Sequence, residues 1–273
     1  MEQHLKTEIE PGLANGRLDD FGRGVSCMKN LLVVEALRKT FTMHHFHGKD
    51  IVGCEDIHLS LPQGRFIGLT GESGAGKSTI LKCIYRTYTP TEGTVLFDSD
   101  QLGPIDLAKA TDREILAIRK REIGYVSQFL NVMPRVTALE VVTDAILDMG
   151  EGPGTAKEKA KEMLAYFKLP SLLWDSFPRT FSGGEKLRLN LAQAMAKRPK
   201  LLLLDEPTAS LDDASKQLVK EMILLLKNSG TSMIGIFHDL DFMETVADEH
   251  YHLSHGSLKK IANRHGYKAE LVK

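Results

Sequence analysis

Phe66-Ile67-Gly68-Leu69 runs into Gly71-Glu72-Ser73-Gly74-Ala75-Gly76-Lys77-Ser78, and a helically spaced apolar set, Ile80, Leu81 and Ile84, follows at once. An apolar run too short for a helix, a glycine-dense turn and a 3.6-residue period leave room for little besides a strand, a tight loop and a helix. In that setting the spacing G-x-x-x-x-G-K-S builds an anion cradle. Glycines let successive backbone N–H groups turn inward, and the helix beginning near Lys77 brings its positive end to the same point. Gly71, Glu72, Ser73, Gly74, Ala75, Gly76, Lys77, Ser78 and Thr79 are therefore the candidate lining of a polyphosphate. Lys77 is expected to reach the β and γ phosphates, and the Ser78 hydroxyl to ligate magnesium.

The rest of the chain alternates short apolar strands with helices. Strands are expected over 31–36, 57–61, 66–69, 94–97, 123–126, 201–204, 233–237 and 251–253, which argues for an α/β core with a mostly parallel sheet. Capping boxes mark helix starts at Thr111/Glu114, Thr137/Glu140, Thr155/Glu158 and Ser182/Glu185. Residues 137–197 carry helical patterns with almost no strand signal, so an all-helical part interrupts the core there. The run Leu201-Leu202-Leu203-Leu204-Asp205-Glu206 reads as a buried strand ending in two carboxylates. Strand alternation sends neighbours to opposite faces, so the two acids are expected to differ in role: Asp205 on magnesium, Glu206 on the attacking water. Gln128 and His238 each follow an apolar strand; an amide there can meet magnesium or water, and an imidazole the γ phosphate.

Composition narrows the classes further. With 42% hydrophobic and 26% charged residues over 273, the chain belongs with globular proteins. Lys+Arg 35 against Asp+Glu 36 gives a net charge of -1, which speaks against a protein built around nucleic acid. Cys27, Cys54 and Cys83 show no C-x-x-C spacing, so neither a disulfide scaffold nor a zinc ribbon is expected, and reduced thiols fit a cytoplasmic location. The longest apolar stretches fall far short of the roughly 18 residues a membrane span needs, and the N-terminus has no apolar core of a secretory signal. Residues 1–27 read as a flexible extension, with Met28 an alternative start. A single nucleotide-binding domain is expected over 28–265, with its helical part at about 129–185 and a tail over 266–273.

Taken in order, the phosphate loop, Gln128, Phe181-Ser182-Gly183-Gly184-Glu185, Leu204-Asp205-Glu206-Pro207, Ser210-Leu211-Asp212 and His238 resemble the motif set of ABC-type ATPase domains, from about residue 30 to about residue 256. The resemblance implies a P-loop α/β fold with an antiparallel β subdomain and an inserted helical subdomain. It implies ATP and Mg2+ as ligands, ATP hydrolysis, and a head-to-tail dimer with a second ABC-type subunit, the same chain or a related one. Ser182, Gly183, Gly184 and Glu185 would then face the nucleotide of the other subunit, Asp212 would lie in the dimer interface, and Phe41 would stack on adenine. Phe181 and Glu185 replace the commoner Leu and Gln of that signature, and the added charge is expected to tune the choice of partner.

The blocks at 124–130, 134–142 and 234–239 are similar to the PhnL family, the ATPase-like subunits of the bacterial carbon-phosphorus lyase system. That likeness implies soluble lyase partners and a part in forming ribose 1-phosphonate 5-triphosphate from a phosphonate and ATP. The alternative is the ATPase subunit of a membrane transporter, importer or exporter, in which residues 129–142 receive a helix of the membrane chain.

Overall fold

The structure, a computed structural model, describes residues 29–43, 49–127, 135–209, 211–254 and 256–261. The expected extension 1–27, the tail 266–273, Cys27 and Gln128 lie outside the described residues.

Among the described residues two sheets carry the fold. The first is antiparallel and pairs β1 (Asn30–Met43), β2 (Lys49–Pro62), β4 (Glu92–Ser99) and β5 (Gly103–Asp106) in the order β2-β1-β4-β5. The second holds β3 (Phe66–Gly71), β6 (Ile123–Val126), β7 (Leu201–Asp205), β8 (Ser232–Ile236), β9 (Glu249–Ser254) and β10 (Ser257–Ile261) in the order β10-β9-β3-β8-β7-β6. All neighbours in it are parallel except β9 and β10. Every residue of β7 and β8 is buried, as expected of strands covered on both faces.

Alternation along β7 divides the interior in two. Leu201 and Leu203 join Ile67, Leu69, Ile234 and Ile236 in a core closed by the antiparallel sheet, α1 (Lys77–Ile84) and α2 (Asp112–Arg121). Leu202 and Leu204 join Phe66, Met233 and Phe237 in the opposite core, closed by α3 (Ala138–Leu147), α4 (Pro153–Tyr166), α5 (Gly183–Met195) and α6 (Asp213–Asn228). Among the described residues no strand occurs between β6 and β7, so the helical part is an insertion between two neighbouring strands. A short α7 (Leu240–Glu244) follows β8. Cys54 and Cys83 are buried free thiols.

Several expectations need correction. β5 and β10 lie outside the expected strands, because each is an edge strand with little apolar alternation, held by its pairing to β4 and β9. β1 and β2 are far longer than 31–36 and 57–61. Ala36 at φ +47° and Asp56 at φ +49° sit where the register shifts, and such bulges break the two-residue period on which strand reading depends. Capping boxes form at Thr111, Thr137 and Ser182, but none forms at Thr155. There α4 starts three residues earlier, behind Gly152, with Pro153 in the first turn, where its fixed φ and missing N–H cost nothing.

Candidate active site

β3, β8, β7 and β6 lie side by side and run the same way, so their C-terminal ends share one edge of the sheet. Ligands of open α/β sheets bind at that edge. The glycine loop leaves from β3, His238 follows β8, Asp205 and Glu206 end β7, and Ser127 follows β6. Topology thus gathers residues that are up to 167 positions apart in the chain, from Gly71 to His238.

The loop closes on its own lysine. Lys77 Nζ donates to the carbonyls of Gly71 and Glu72, both at 2.8 Å, so Gly71 to Lys77 makes a ring with the ammonium inside. Gly76 permits the turn with φ +104°, and a Cβ there would stand 1.9 Å from the Gly53 carbonyl oxygen, so both dihedral and space require glycine. Burial pulls the Lys77 ammonium below the usual lysine range, and the Glu206 and Asp205 carboxylates push it back up. Glu72, Ser73 and Gly74 are exposed along the rim, with Ala75 and Gly76 half-buried behind them.

Ser78 Oγ donates to Asp205 Oδ1 at 2.9 Å. These two oxygens are donors of the hard kind that magnesium takes, already adjacent and one residue beyond the ammonium, so the set fits Mg2+ and could hold it. Tyr125, on β6, donates its hydroxyl to Asp205 Oδ2 at 2.7 Å. Burial, and after it this bond, hold the phenol above the usual tyrosine range and keep it a donor.

Glu206 departs from the expected alternation. The strand ends at Asp205, and Glu206 has φ +54°, a left-handed conformation uncommon for glutamate. The turn, rather than the strand, aims its carboxylate, and Oε1 lies 2.8 Å from His238 Nε2. Strain of this kind persists where the surroundings over-determine it, often at functional sites.

The second group of expected residues forms its own cluster. Ser182 N-caps α5: its hydroxyl accepts from Glu185 N, and Glu185 Oε2 accepts from Ser182 N at 2.7 Å. Glu185 is therefore engaged within its own helix end. A Cβ at Gly184 would stand 2.8 Å from Ser215 Oγ, so Gly184 lets the start of α5 lie against the start of α6. Asp212 caps α6, accepting from Ser215 N at 2.7 Å, and that N–H holds its carboxyl below the usual range. No hydrogen bond or ion pair among the described residues joins this cluster to Lys77, Ser78, Asp205, Glu206 or His238. Phe41 stands beside the loop helix: its ring packs edge-on to Tyr88 at 5.1 Å, and a Cβ at Gly53 would touch both it and Thr79.

Two residues escaped the sequence reading. Tyr125 sits in an apolar strand where only its hydroxyl hints at a polar partner. Arg188, buried in α5, lies against Gly184 and acts on the charge of Asp212.

A family model described as ABC transporter matches residues 54–209, more than half of the chain. The chain belongs to the ABC transporter ATPase family. It is 33% identical to the lipoprotein-releasing system ATP-binding protein LolD of Aquifex aeolicus, over 80% of this chain and 91% of that one. It is 32% identical to the methionine import ATP-binding protein MetN of Vibrio cholerae over 80% of its length, but spans only 61% of MetN. The cell division ATP-binding protein FtsE of Bacillus subtilis is 31% identical over 77% of this chain and 90% of its own. Among solved structures, the dimeric cassette MJ0796 bound to ADP and Pi superposes with a TM-score of 0.75 at 28% identity, covering 85% of this chain and 99% of that one. A mostly parallel core sheet with an antiparallel β subdomain and an inserted helical subdomain is the ABC fold, and ATP with Mg2+ are the ligands of this ATPase family.

Proposed function

We propose that the chain is the ATP-hydrolysing subunit of a head-to-tail ABC dimer on the cytoplasmic side of a membrane partner. Lys77 and the loop N–H groups bind the β and γ phosphates, and Ser78 and Asp205 hold the magnesium, with Gln128 completing the set. The metal, when bound, neutralises charge on the phosphate oxygens. Glu206 orients and deprotonates the attacking water, and His238 fixes the Glu206 carboxylate and donates to the γ phosphate. Ser182, Gly183 and Gly184 serve the nucleotide of the opposite subunit, where the start of α5 brings a positive dipole end. Asp212 lies in the shared interface and Phe41 supports the adenine. Glu185, occupied in its capping box, holds Ser182 in place.

The observation that carries this reading is the convergence of Lys77, the Ser78–Asp205 bond and the Glu206–His238 bond on one sheet edge. Glu206→Gln tests it. The variant is expected to bind ATP normally while turnover falls at least about 100-fold, the scale of a lost general base; turnover at the wild-type rate overturns the assignment.

A membrane client is favoured by the likeness to LolD, of a lipoprotein-releasing system, and to MetN, of methionine import. A cleft of about 710 Å3 between α2, α3 and α5, with Leu116, Val136, Val141 and Asp144 on its walls, supplies a seat for a helix of such a partner. A second reading, a subunit of the soluble carbon-phosphorus lyase machinery, is favoured by the blocks at 124–130, 134–142 and 234–239, although none of the relatives named above is a lyase subunit. Purification of the tagged chain from a detergent-free lysate separates the two. Recovery with soluble lyase subunits supports the second reading, and recovery only from detergent extracts of membranes supports the first.

A further inference from the structure

Asp205 is held at both oxygens: Ser78 Oγ donates to Oδ1 at 2.9 Å and the Tyr125 hydroxyl to Oδ2 at 2.7 Å. A carboxylate turns about its terminal torsion in a broad well, so a bond at one oxygen leaves its plane loosely set, whereas bonds at both set it. Tyr125 is well placed to be the second. It lies on the neighbouring parallel strand, where β6 pairs it with Leu203, two residues before Asp205. Its ring packs on Tyr85 with centroids 5.0 Å apart, the Arg119 guanidinium lies 4.3 Å from the Tyr85 centroid, and Arg119 Nε donates to the Tyr85 carbonyl at 2.7 Å. The phenol is thus anchored by a stack of rings, so little freedom is lost when its hydroxyl bonds the carboxylate.

We propose that Tyr125 is a positioning residue for the metal site: its hydroxyl fixes the Asp205 carboxylate in the plane that presents Oδ1 beside Ser78. The proposal rests on the reading of Ser78 and Asp205 as the magnesium donors. Tyr125 acts through Asp205, the one side chain among the described residues to which its hydroxyl hydrogen-bonds.

The measurable consequence is a coupling. Magnesium tightens nucleotide binding by a factor given by the ratio of the nucleotide Kd in EDTA to the Kd in saturating Mg2+, and a loosened Asp205 lowers that ratio. Fluorescent ATP-analogue titrations in both conditions, on the full chain, read it directly. Tyr125→Phe keeps the ring and its stack and is expected to cut the ratio about tenfold with the EDTA affinity unchanged, the scale of one lost hydrogen bond to a charged group. Tyr85→Phe removes a hydroxyl from the same stack that makes no hydrogen bond among the described residues, and is expected to leave the ratio alone. Asp205→Asn is expected to abolish the gain from magnesium. A full gain in Tyr125→Phe beside a lost one in Asp205→Asn overturns the positioning role while sparing the reading beneath it. A full gain in Asp205→Asn overturns both. Equal losses with and without magnesium reduce Tyr125 to packing and overturn the role.

Discussion

Gly76 and Glu206 are the two residues whose backbone answers to the site before it answers to local preference. At Gly76, φ +104° coincides with a carbonyl 1.9 Å from where a Cβ would stand, so Gly76→Ala must displace β2 or open the loop. The variant is expected to lose about 1–3 kcal/mol in urea unfolding, the cost of a residue held in a disfavoured region, and to bind nucleotide more weakly. Wild-type values for both would mean that the loop tolerates a side chain. Glu206 is the converse case, a side-chain-bearing residue at φ +54° that a sequence reader places on the strand by alternation. Its true direction, toward His238, depends on a turn that no periodicity encodes. Lys77 and Ser78, by contrast, are legible from spacing alone, because a loop that must aim N–H groups at an anion has few ways to be written.

Helix starts were the most readable elements, and the reason can be tested. Glu114 accepts from the Thr111 N–H at 2.8 Å and Glu140 from the Thr137 N–H at 2.7 Å. The Thr111 hydroxyl and then its N–H hold the Glu114 carboxyl below the usual range, and the Thr137 N–H and then its hydroxyl do the same for Glu140. A carboxyl with a depressed folded pKa contributes stability that is present above its unfolded value, about 4.3, and is lost as pH falls through the folded value. Glu114→Gln with Glu140→Gln removes that titration while keeping an acceptor. The double variant's Tm is expected to fall less steeply than wild type as pH drops below about 5; superimposable acid limbs would show that these caps do not contribute. Thr155 and Glu158 have the same spacing without the box, because Gly152 and Pro153 start the helix first. Spacing licenses a cap, and the neighbouring backbone decides whether it forms.

At the scale of the whole molecule most of the expected residues fall into two groups: the phosphate loop with Asp205, Glu206 and His238, and the α5 start with Asp212. Each is internally bonded, and no hydrogen bond or ion pair among the described residues joins them. A head-to-tail dimer puts one group of each chain against the other group of its partner. Subunit mixing tests this directly. Lys77→Ala disables the first group, since it removes the charge paired with the phosphates, and Ser182→Arg blocks the second. In a mixed dimer one site combines both lesions and the other is intact, so mixing two inactive variants is expected to restore occlusion of about one nucleotide per mixed dimer, read by gel filtration with labelled ATP. Failure to recover any occlusion, with mixed dimers demonstrated, would count against composite sites.

The chain's sequence by itself determined the strand–loop–helix at residues 66–84, the buried strand ending in Asp205, the insertion of helices between β6 and β7, and three capping boxes. Each of these is local: it depends on residues within a turn or two, through periodicity, glycine content or side-chain reach. The ABC resemblance extended that reading to ATP, magnesium and the fold, while the tie to a phosphonate system rested on blocks that no local physics interprets. Tertiary structure alone decided the rest. The strand order β3-β8-β7-β6 places His238 against Glu206 and Tyr125 against Asp205, and edge pairing makes strands of residues 103–106 and 257–261. Those contacts join residues far apart in the chain, and their partners exist only once the sheet has brought the strand ends together.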